Sequence, residues 1–289
     1  MSERVFVTGA TGNIGKKVVE ELAKNNVQTT VYARDVEKAS KLFPNGSNLT
    51  FVQGDYDTID AFSKAIVGHT RLFLLVTDLP RMTDIKVKFA TIAYEAGVKQ
   101  IVDISTNMVA LAWRYNFASA AQGPAEEALI NIPKRGAYVA LRPTAFMSNH
   151  VVYDKSTIQQ GFLQGVVAPD YKQEWISTND IALASANILQ DSVEKHGDAV
   201  YEMIGDSVSP SERAAIFSKA LGREITYNQV RPLERYKILT EYVKVPHYIA
   251  YAICSRDPQK DVTIEIEILL GREPETLEQW LNGNTDRFQ

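Results

Sequence analysis

The chain contains one cysteine, Cys254, among 289 residues, so no disulfide can form within it. That absence fits a reducing compartment better than a secreted, cross-linked scaffold. Histidine is scarce as well. His69, His150, His196 and His247 are scattered without the spacing that metal ligation needs, and no metal is expected. Positive charge is not in excess: 31 basic residues face 35 acidic ones, for a net charge of -4 and a pI near 5.7. Such a surface offers no footprint for DNA or RNA. No apolar run is long enough to cross a bilayer, so no membrane contact is expected. The opening MSERVFV passes at once into a strand-like pattern and leaves no room for a signal peptide. Asn48-Leu49-Thr50 matches a glycosylation sequon but lacks a secretory context. The expected location is the cytoplasm. Repeats, low-complexity segments and an obvious linker are all lacking.

What is present is apolar and periodic. At 45% hydrophobic, the chain can bury a large core, in one large domain or in a domain with a smaller companion. Short β-branched runs at residues 5–8, 29–33, 49–52, 71–76, 101–104 and 138–141 read as strands. Helical patterns fall between them at 36–42, 59–66, 84–96 and 124–130, with Asp57 or Thr58 as a cap and Gly97 as a stop. The run at 71–76 is almost wholly apolar, as in a strand buried on both faces. This alternation predicts an α/β fold, a Rossmann doubly wound parallel sheet. Residues 1–150 form the dinucleotide-binding domain, with 177–204 returning to it, and 151–289 form a smaller C-terminal α+β substrate or partner lobe. There, 179–189 and 210–221 read as helices and 199–204 as a strand. Residues 262–268 alternate at a strand period beside a helix-like tail.

The densest local signal is Gly9-Ala10-Thr11-Gly12-Asn13-Ile14-Gly15, set between a strand and a helix. In that context three glycines suit a dinucleotide. Gly9 permits the tight turn, Gly12 lets the backbone approach a pyrophosphate, and Gly15 lets helix and sheet pack closely. Free N–H groups and the positive end of the helix dipole then face the phosphates. The second strand ends at Arg34, with Lys38 one helical turn further on. A guanidinium there accommodates the 2′-phosphate of NADP, whereas an acidic residue would hold the ribose of NAD. Arg34 has the alternative reading of an ordinary solvated charge. Asp35 could serve the NAD role or cap the next helix; the cap is preferred, and with it NADP(H) as cofactor.

These residues resemble the NmrA-like branch of the atypical short-chain dehydrogenases. The GATGNIG loop with Arg34 and Lys38 carries the likeness, as do Gly54-Asp55 and the Ala96-Gly97-Val98-Lys99 turn. Leu141-Arg142-Pro143 with Phe146, Met147 and Asn149 extends it, and Gly271-Arg272-Glu273-Pro274 closes it near the end of the chain. The family includes NADPH-dependent reductases of quinones, triphenylmethane dyes and phenylpropanoid-type aromatics, and also NADP(H)-binding regulators of transcription factors. The resemblance implies that the loop (Gly9, Thr11, Gly12, Asn13, Ile14, Gly15) holds the pyrophosphate, and that Arg34 and Lys38 hold the 2′-phosphate. It implies Asp55 and Tyr56 at the adenine, and Val76 and Thr77 at the ribose. Ser105 and Thr106 would lie near the nicotinamide, with Pro143 and Phe146 as floor and pocket wall.

One family feature is absent. Many relatives keep a lysine four positions before a glutamate on the helix after the fifth strand; here Gln122 precedes Glu126. Tyr115 is followed four residues on by Ser119, so there is no Tyr-Lys pair either. A glutamine can bond a ribose hydroxyl but supplies no cation to activate a phenol. Carbonyl reduction is therefore disfavoured, while hydride transfer to an acceptor that is already electrophilic stays open. Gln122, Ser105 and Tyr115 are the candidate catalytic residues, with Ser105 and Tyr115 the remaining proton donors; Tyr115 is equally read as a packing aromatic. Trp113 and His150 are weaker pocket candidates. Tyr236, Tyr242, Tyr248 and Tyr251 form either a partner surface or the core of their lobe. The expected function is NADPH-dependent reduction of a small conjugated or aromatic acceptor: a quinone, an imine or a dye-like molecule. The alternative is a catalytically weak redox sensor acting through a regulatory protein partner, and a homodimer is compatible with either.

Overall fold

The alternation in the sequence folds as strand and helix in turn. In the computed structural model, which describes residues 3–44, 46–111, 116–254 and 265–289, the first strand β1 (Arg4–Val7) leads into α1 (Gly15–Lys24). There follow β2 (Gln28–Ala33), α2 (Val36–Leu42), β3 (Leu49–Gln53), α3 (Ile59–Ala65) and β4 (Arg71–Leu74). Then come α4 (Met82–Glu95), β5 (Gln100–Ile104), α5 (Phe117–Ile130) and β6 (Ala137–Pro143). The strands form a seven-stranded sheet in the order Val200–Met203, β6, β5, β4, β1, β2, β3. The pairs from β6 through β3 are parallel. This is a Rossmann-like α/β fold. Buried aliphatic and aromatic residues such as Phe6, Phe62, Leu72, Phe89, Ile101 and Tyr138 form the core against one face of this sheet.

Two compact units result. The first holds Met1–Pro143, Thr178–Glu202 and Ile268–Gly271; the second holds Thr144–Ser177, Met203–Glu267 and Arg272–Gln289. The second has its own core, built around Met147, Trp175, Phe217, Trp280 and Phe288. Its small sheet pairs Asp206–Val208 antiparallel with Gln173–Ile176, and the latter parallel with Ala145–Phe146. Among the described residues, no helix is long and apolar enough to cross a membrane.

Several boundaries differ from the sequence reading, for physical reasons. The helix expected at 124–130 begins at Phe117, because Asn116 and Ser119 form a reciprocal capping box ahead of it. Pro124 sits inside that helix, where it forfeits one backbone bond. Burial of Ala125, Glu126 and Leu129 keeps the helix intact across it. The helix at 210–221 starts from Ser209, which shares a capping box with Glu212. Gly97 stops α4 at a φ of 96°, in the region that glycine tolerates. In the ambiguous stretch 262–268, Glu265–Leu270 is helical and 262–264 lie outside the described residues.

Candidate functional site

The chain runs from β1 through β2 to β3 on one side, then crosses back to place β4 on the other side of β1. The carboxyl ends of β1 and β4 therefore flank the point where strand order reverses, which is where open α/β sheets bind ligands. Thr8 ties the two ends together. Its N–H and hydroxyl donate to Phe73 O at 3.0 and 3.1 Å, and its Oγ1 accepts from Leu75 N at 2.9 Å.

Next comes the glycine loop. Gly9 has φ 64°, and a Cβ there would lie 2.8 Å from Leu75 Cδ2. Gly15 packs so tightly that a Cβ would meet Gly9 O at 2.2 Å and its carbonyl carbon at 2.7 Å. The turn is closed by Gly12 N–H donating to Gly9 O at 3.0 Å. Among the described residues, the amides of Thr11, Asn13 and Ile14 have no hydrogen-bond acceptor. They stand at the start of the ten-residue α1, so several N–H groups and a helix dipole converge on one spot.

A cleft of about 500 Å³ opens there, walled by residues 8–12, 32–34 and 54–57 with Leu75, Thr77, Asp78 and Arg81. Of the residues expected to bind, Gly9, Thr11, Gly12, Arg34, Asp55, Tyr56 and Thr77 line it. Val76 turns into the core instead, and Leu75 takes its place on the wall. Ile14 and Gly15 are buried behind the loop, and Asn13 is exposed beside it. Lys38 is exposed on the first turn of α2, outside the wall.

Arg34 is exposed, and among the described residues its guanidinium makes no hydrogen bond or ion pair. Asp35 is committed: its carboxylate accepts from Lys38 N at 2.8 Å and caps α2. Asp55 is likewise occupied, accepting from the backbone N–H groups of Thr58 and Asp57 at 2.8 and 2.9 Å. Those bonds hold its carboxyl below the usual carboxylate range. Arg81 spans the rim, with Nε and Nη2 on Asp78 Oδ2 at 2.9 and 2.7 Å and Nη1 on Asp57 Oδ1 at 2.7 Å. These bonds raise its pKa and lower that of Asp78. Sequence reasoning missed Arg81; its only signal was a cation shortly after the fourth strand.

Further along the same sheet edge, the carboxyl end of β5 carries a second polar cluster. The Ser105 hydroxyl donates to Glu126 Oε1, so its proton is committed. Arg142 pairs with the same carboxylate through Nε at 3.1 Å and Nη2 at 2.5 Å, which raises the arginine pKa. Gln122 meets an unexpected partner: Lys86 Nζ, from α4, donates to its Oε1 at 2.7 Å. Lys86 is 0% exposed, 2.7 and 2.8 Å from the two Asp103 oxygens and 3.0 Å from Ile104 O. The Tyr138 hydroxyl also donates to Asp103 Oδ2, at 2.9 Å. Burial pushes the Asp103 carboxyl up, against the pull of Lys86 and Tyr138. The sequence did hold a clue to Lys86. It shares the stripe of Met82, Ile85, Phe89 and Ala93, so helical spacing puts a lysine on a buried face.

The other candidates fall elsewhere. Pro143 ends β6, Phe146 is half-buried in the second unit, and Trp113 and Tyr115 lie outside the described residues. His150 is wholly buried in the second unit, its Nδ1 bonded to Asp154 at 2.8 Å and its ring tilted at 34° against Trp175, centroids 4.4 Å apart. Arg235 pairs with the other Asp154 oxygen at 2.7 Å.

Known proteins resemble this chain along most of its length. A Dictyostelium discoideum protein named prestalk A differentiation protein A is 27% identical over 286 residues, covering 96% of this chain and 90% of its own. An NAD(P)H azoreductase of Xenophilus azovorans is 25% identical over 298 residues, covering 98% and 99%. Among solved structures, an NADPH-dependent quinone oxidoreductase of Escherichia coli complexed with NADPH superposes with a TM-score of 0.83. It is 24% identical, with 96% of this chain and 99% of that one covered. The profile of the NmrA-like family matches residues 1–280, and the chain belongs to that family.

Proposed function

We propose that the first unit binds NADP(H) at the carboxyl edge of its sheet and that the protein reduces a small conjugated or aromatic acceptor. The observation that carries this reading is the pairing of a glycine loop with acceptor-free amides and an Arg34 guanidinium that makes no hydrogen bond or ion pair among the described residues, both bordering one cleft. The residues present fit the ligand. Amides at the start of α1 take a pyrophosphate, and Gly12 keeps a side chain out of its way. Arg34, with Lys38 behind it, takes a ribose phosphate bidentately. Asp35 caps α2 and is absent from the cleft wall, so the residue on that wall at the end of β2 is the cationic Arg34. Leu75 and Thr77 supply the cleft floor, and Arg81 borders it.

The nicotinamide, when bound, supplies hydride to the acceptor. The chain's own groups at that end are Ser105 and Gln122. With its proton on Glu126, Ser105 offers lone pairs, and so acts as an acceptor. Gln122 offers N–H groups. Neither supplies an acidic proton, which suits a quinone, imine or azo-type acceptor that takes its proton from water. The family and the azoreductase and quinone oxidoreductase relatives support the same class of chemistry.

The test is NADPH consumption, followed by its near-UV absorbance, across quinones, azo dyes, triphenylmethane dyes and imines. Turnover is expected with at least one class, and with NADPH well ahead of NADH. Tight NADPH binding without consumption by any acceptor would overturn the enzymatic reading and leave a sensor.

A further inference from the structure

Lys86 deepens that reading, and the inference rests on it. The ammonium group has three protons and three acceptor groups: the Asp103 carboxylate, Ile104 O and Gln122 Oε1. A lysine cannot accept a hydrogen bond, so the atom of Gln122 that faces it must be the oxygen. The NH₂ edge of the carboxamide is thereby turned away from the lysine. One of its N–H groups reaches weakly to Ile104 O at 3.4 Å. The other has no acceptor among the described residues.

Stability alone does not account for a charge here. A buried ion pair is seldom worth more than well-packed apolar residues of the same volume. What an apolar residue at position 86 could not do is grip the oxygen of Gln122. Lys86 and Arg142 face Asp103 and Glu126, with Ser105 and Gln122 among them. Within that frame Gln122 keeps one amide N–H, on the edge turned from the lysine, with no acceptor among the described residues. A cation bonded to the carbonyl oxygen of an amide polarises it and makes its N–H groups stronger donors.

We infer that Lys86 is a positioning residue for the reacting end of the site, locking and polarising Gln122 so that its amide donates to a ligand hydroxyl or carbonyl oxygen. A cation thus acts at this point of the fold, delivered from α4 through Gln122 rather than from α5 directly.

Because Lys86 is buried against Asp103, removing it alone endangers the fold. Two paired variants avoid this: the exchange Lys86→Gln/Gln122→Lys, and Lys86→Met/Asp103→Asn, which deletes both buried charges. The first readout needs no cofactor. In ¹⁵N-labelled protein, the Gln122 side-chain amide, assigned by its loss in Gln122→Glu, is expected downfield and slow to exchange. In Lys86→Met/Asp103→Asn it is expected to move to the position of a free glutamine. The second readout is kinetic. The charge-deleted variant should lose about tenfold or more in kcat with NADPH, the loss expected for one charge-assisted hydrogen bond. KM for the acceptor should change less, and the exchange variant should recover most of kcat. An unchanged amide resonance in the folded charge-deleted variant overturns the inference, whether or not the protein turns over. Unchanged kcat in that variant overturns it as well. Failure of the wild type to bind or oxidise NADPH would instead defeat the functional reading, and the amide resonance would still decide the role of Lys86.

Discussion

Replacing Arg34 by alanine tests cofactor choice more cleanly than any other change in the cleft. The guanidinium is exposed and makes no hydrogen bond or ion pair among the described residues, acting only through its charge on Asp55, so its loss breaks no contact that holds the fold together. Surface changes of that kind stay within about 0.5 kcal/mol of stability. Any loss of binding therefore reports the ligand contact. A hydrogen bond to a charged group contributes about 1.5–3 kcal/mol. At about 1.4 kcal/mol per factor of ten, that is roughly a 10- to 100-fold weaker dissociation constant for NADPH. Solvent exposure of Arg34 favours the lower half of that range. NADH lacks the 2′-phosphate and should lose no more than about twofold, within the same surface allowance. The assay is titration of cofactor fluorescence with wild type and Arg34→Ala, for NADPH and NADH in parallel. Repeating it near 1 M salt, where charges are screened beyond about 3 Å, should shrink the wild-type preference. Equal losses for the two cofactors would refute the reasoning, since Arg34 would then meet a part that both share.

Two further outcomes are expected. Gly15→Ala would place a methyl 2.2 Å from a backbone carbonyl oxygen, and backbone cannot rotate away as a side chain can. Either α1 or the loop must shift, so NADPH binding should be lost in titration even where circular dichroism shows a folded protein; retained affinity would contradict the loop geometry. The second outcome concerns acid. Burial pulls the His150 pKa below its ordinary value, so between about pH 6.5 and that lowered value the unfolded chain binds a proton that the folded chain does not. Stability should therefore fall as pH drops below about 6.5, by at most about 1.4 kcal/mol per pH unit for this one group. Burial would raise the Asp154 carboxyl, but His150 and Arg235 outweigh it and hold the pKa at about 2. Its contribution is present above about pH 3.8 and is lost only as pH falls toward 2. Burial lowers the pKa of His69 too, which adds in the same sense as His150. Urea midpoints at pH 7.5, 6.5 and 5.5 check this, and His150→Gln should flatten the slope; an identical slope in the variant would count against it.

Much of the first unit was legible because its signals are local. Each parallel strand is a short apolar run, each helix follows within a few residues, and the glycine loop is contiguous. Pairwise separations are short enough for periodicity to report them. The start of α5 was not legible. Gly123-Pro124 looks like a boundary, and only the reciprocal bonds of Asn116 and Ser119 carry the helix back to Phe117. Nor does pattern distinguish Leu75 from Val76 as the residue on the cleft wall, because both are apolar and follow directly on β4. The second unit was harder still, since its strands are two to four residues long and lack clear alternation.

The polar groups divide the same way. Arg34 and Asp35 are adjacent, and either could have set the cofactor; one hydrogen bond, from Lys38 N to the Asp35 carboxylate, holds the acid at the start of α2, while Arg34 lines the cleft. That bond spans three residues and is a standard helix cap, so the preference was within reach of the sequence. Lys86 and Gln122 are 36 positions apart on different helices, and their contact exists only because α4 and α5 pack side by side. A search for a tyrosine and lysine four apart looks for a cation on the same helix as its partner. Helix packing here brings a cation from α4 to the Gln122 amide oxygen instead. A missing residue in a linear motif is thus a statement about one helix, and a charge on the buried stripe of the neighbouring helix is the place to look for its replacement.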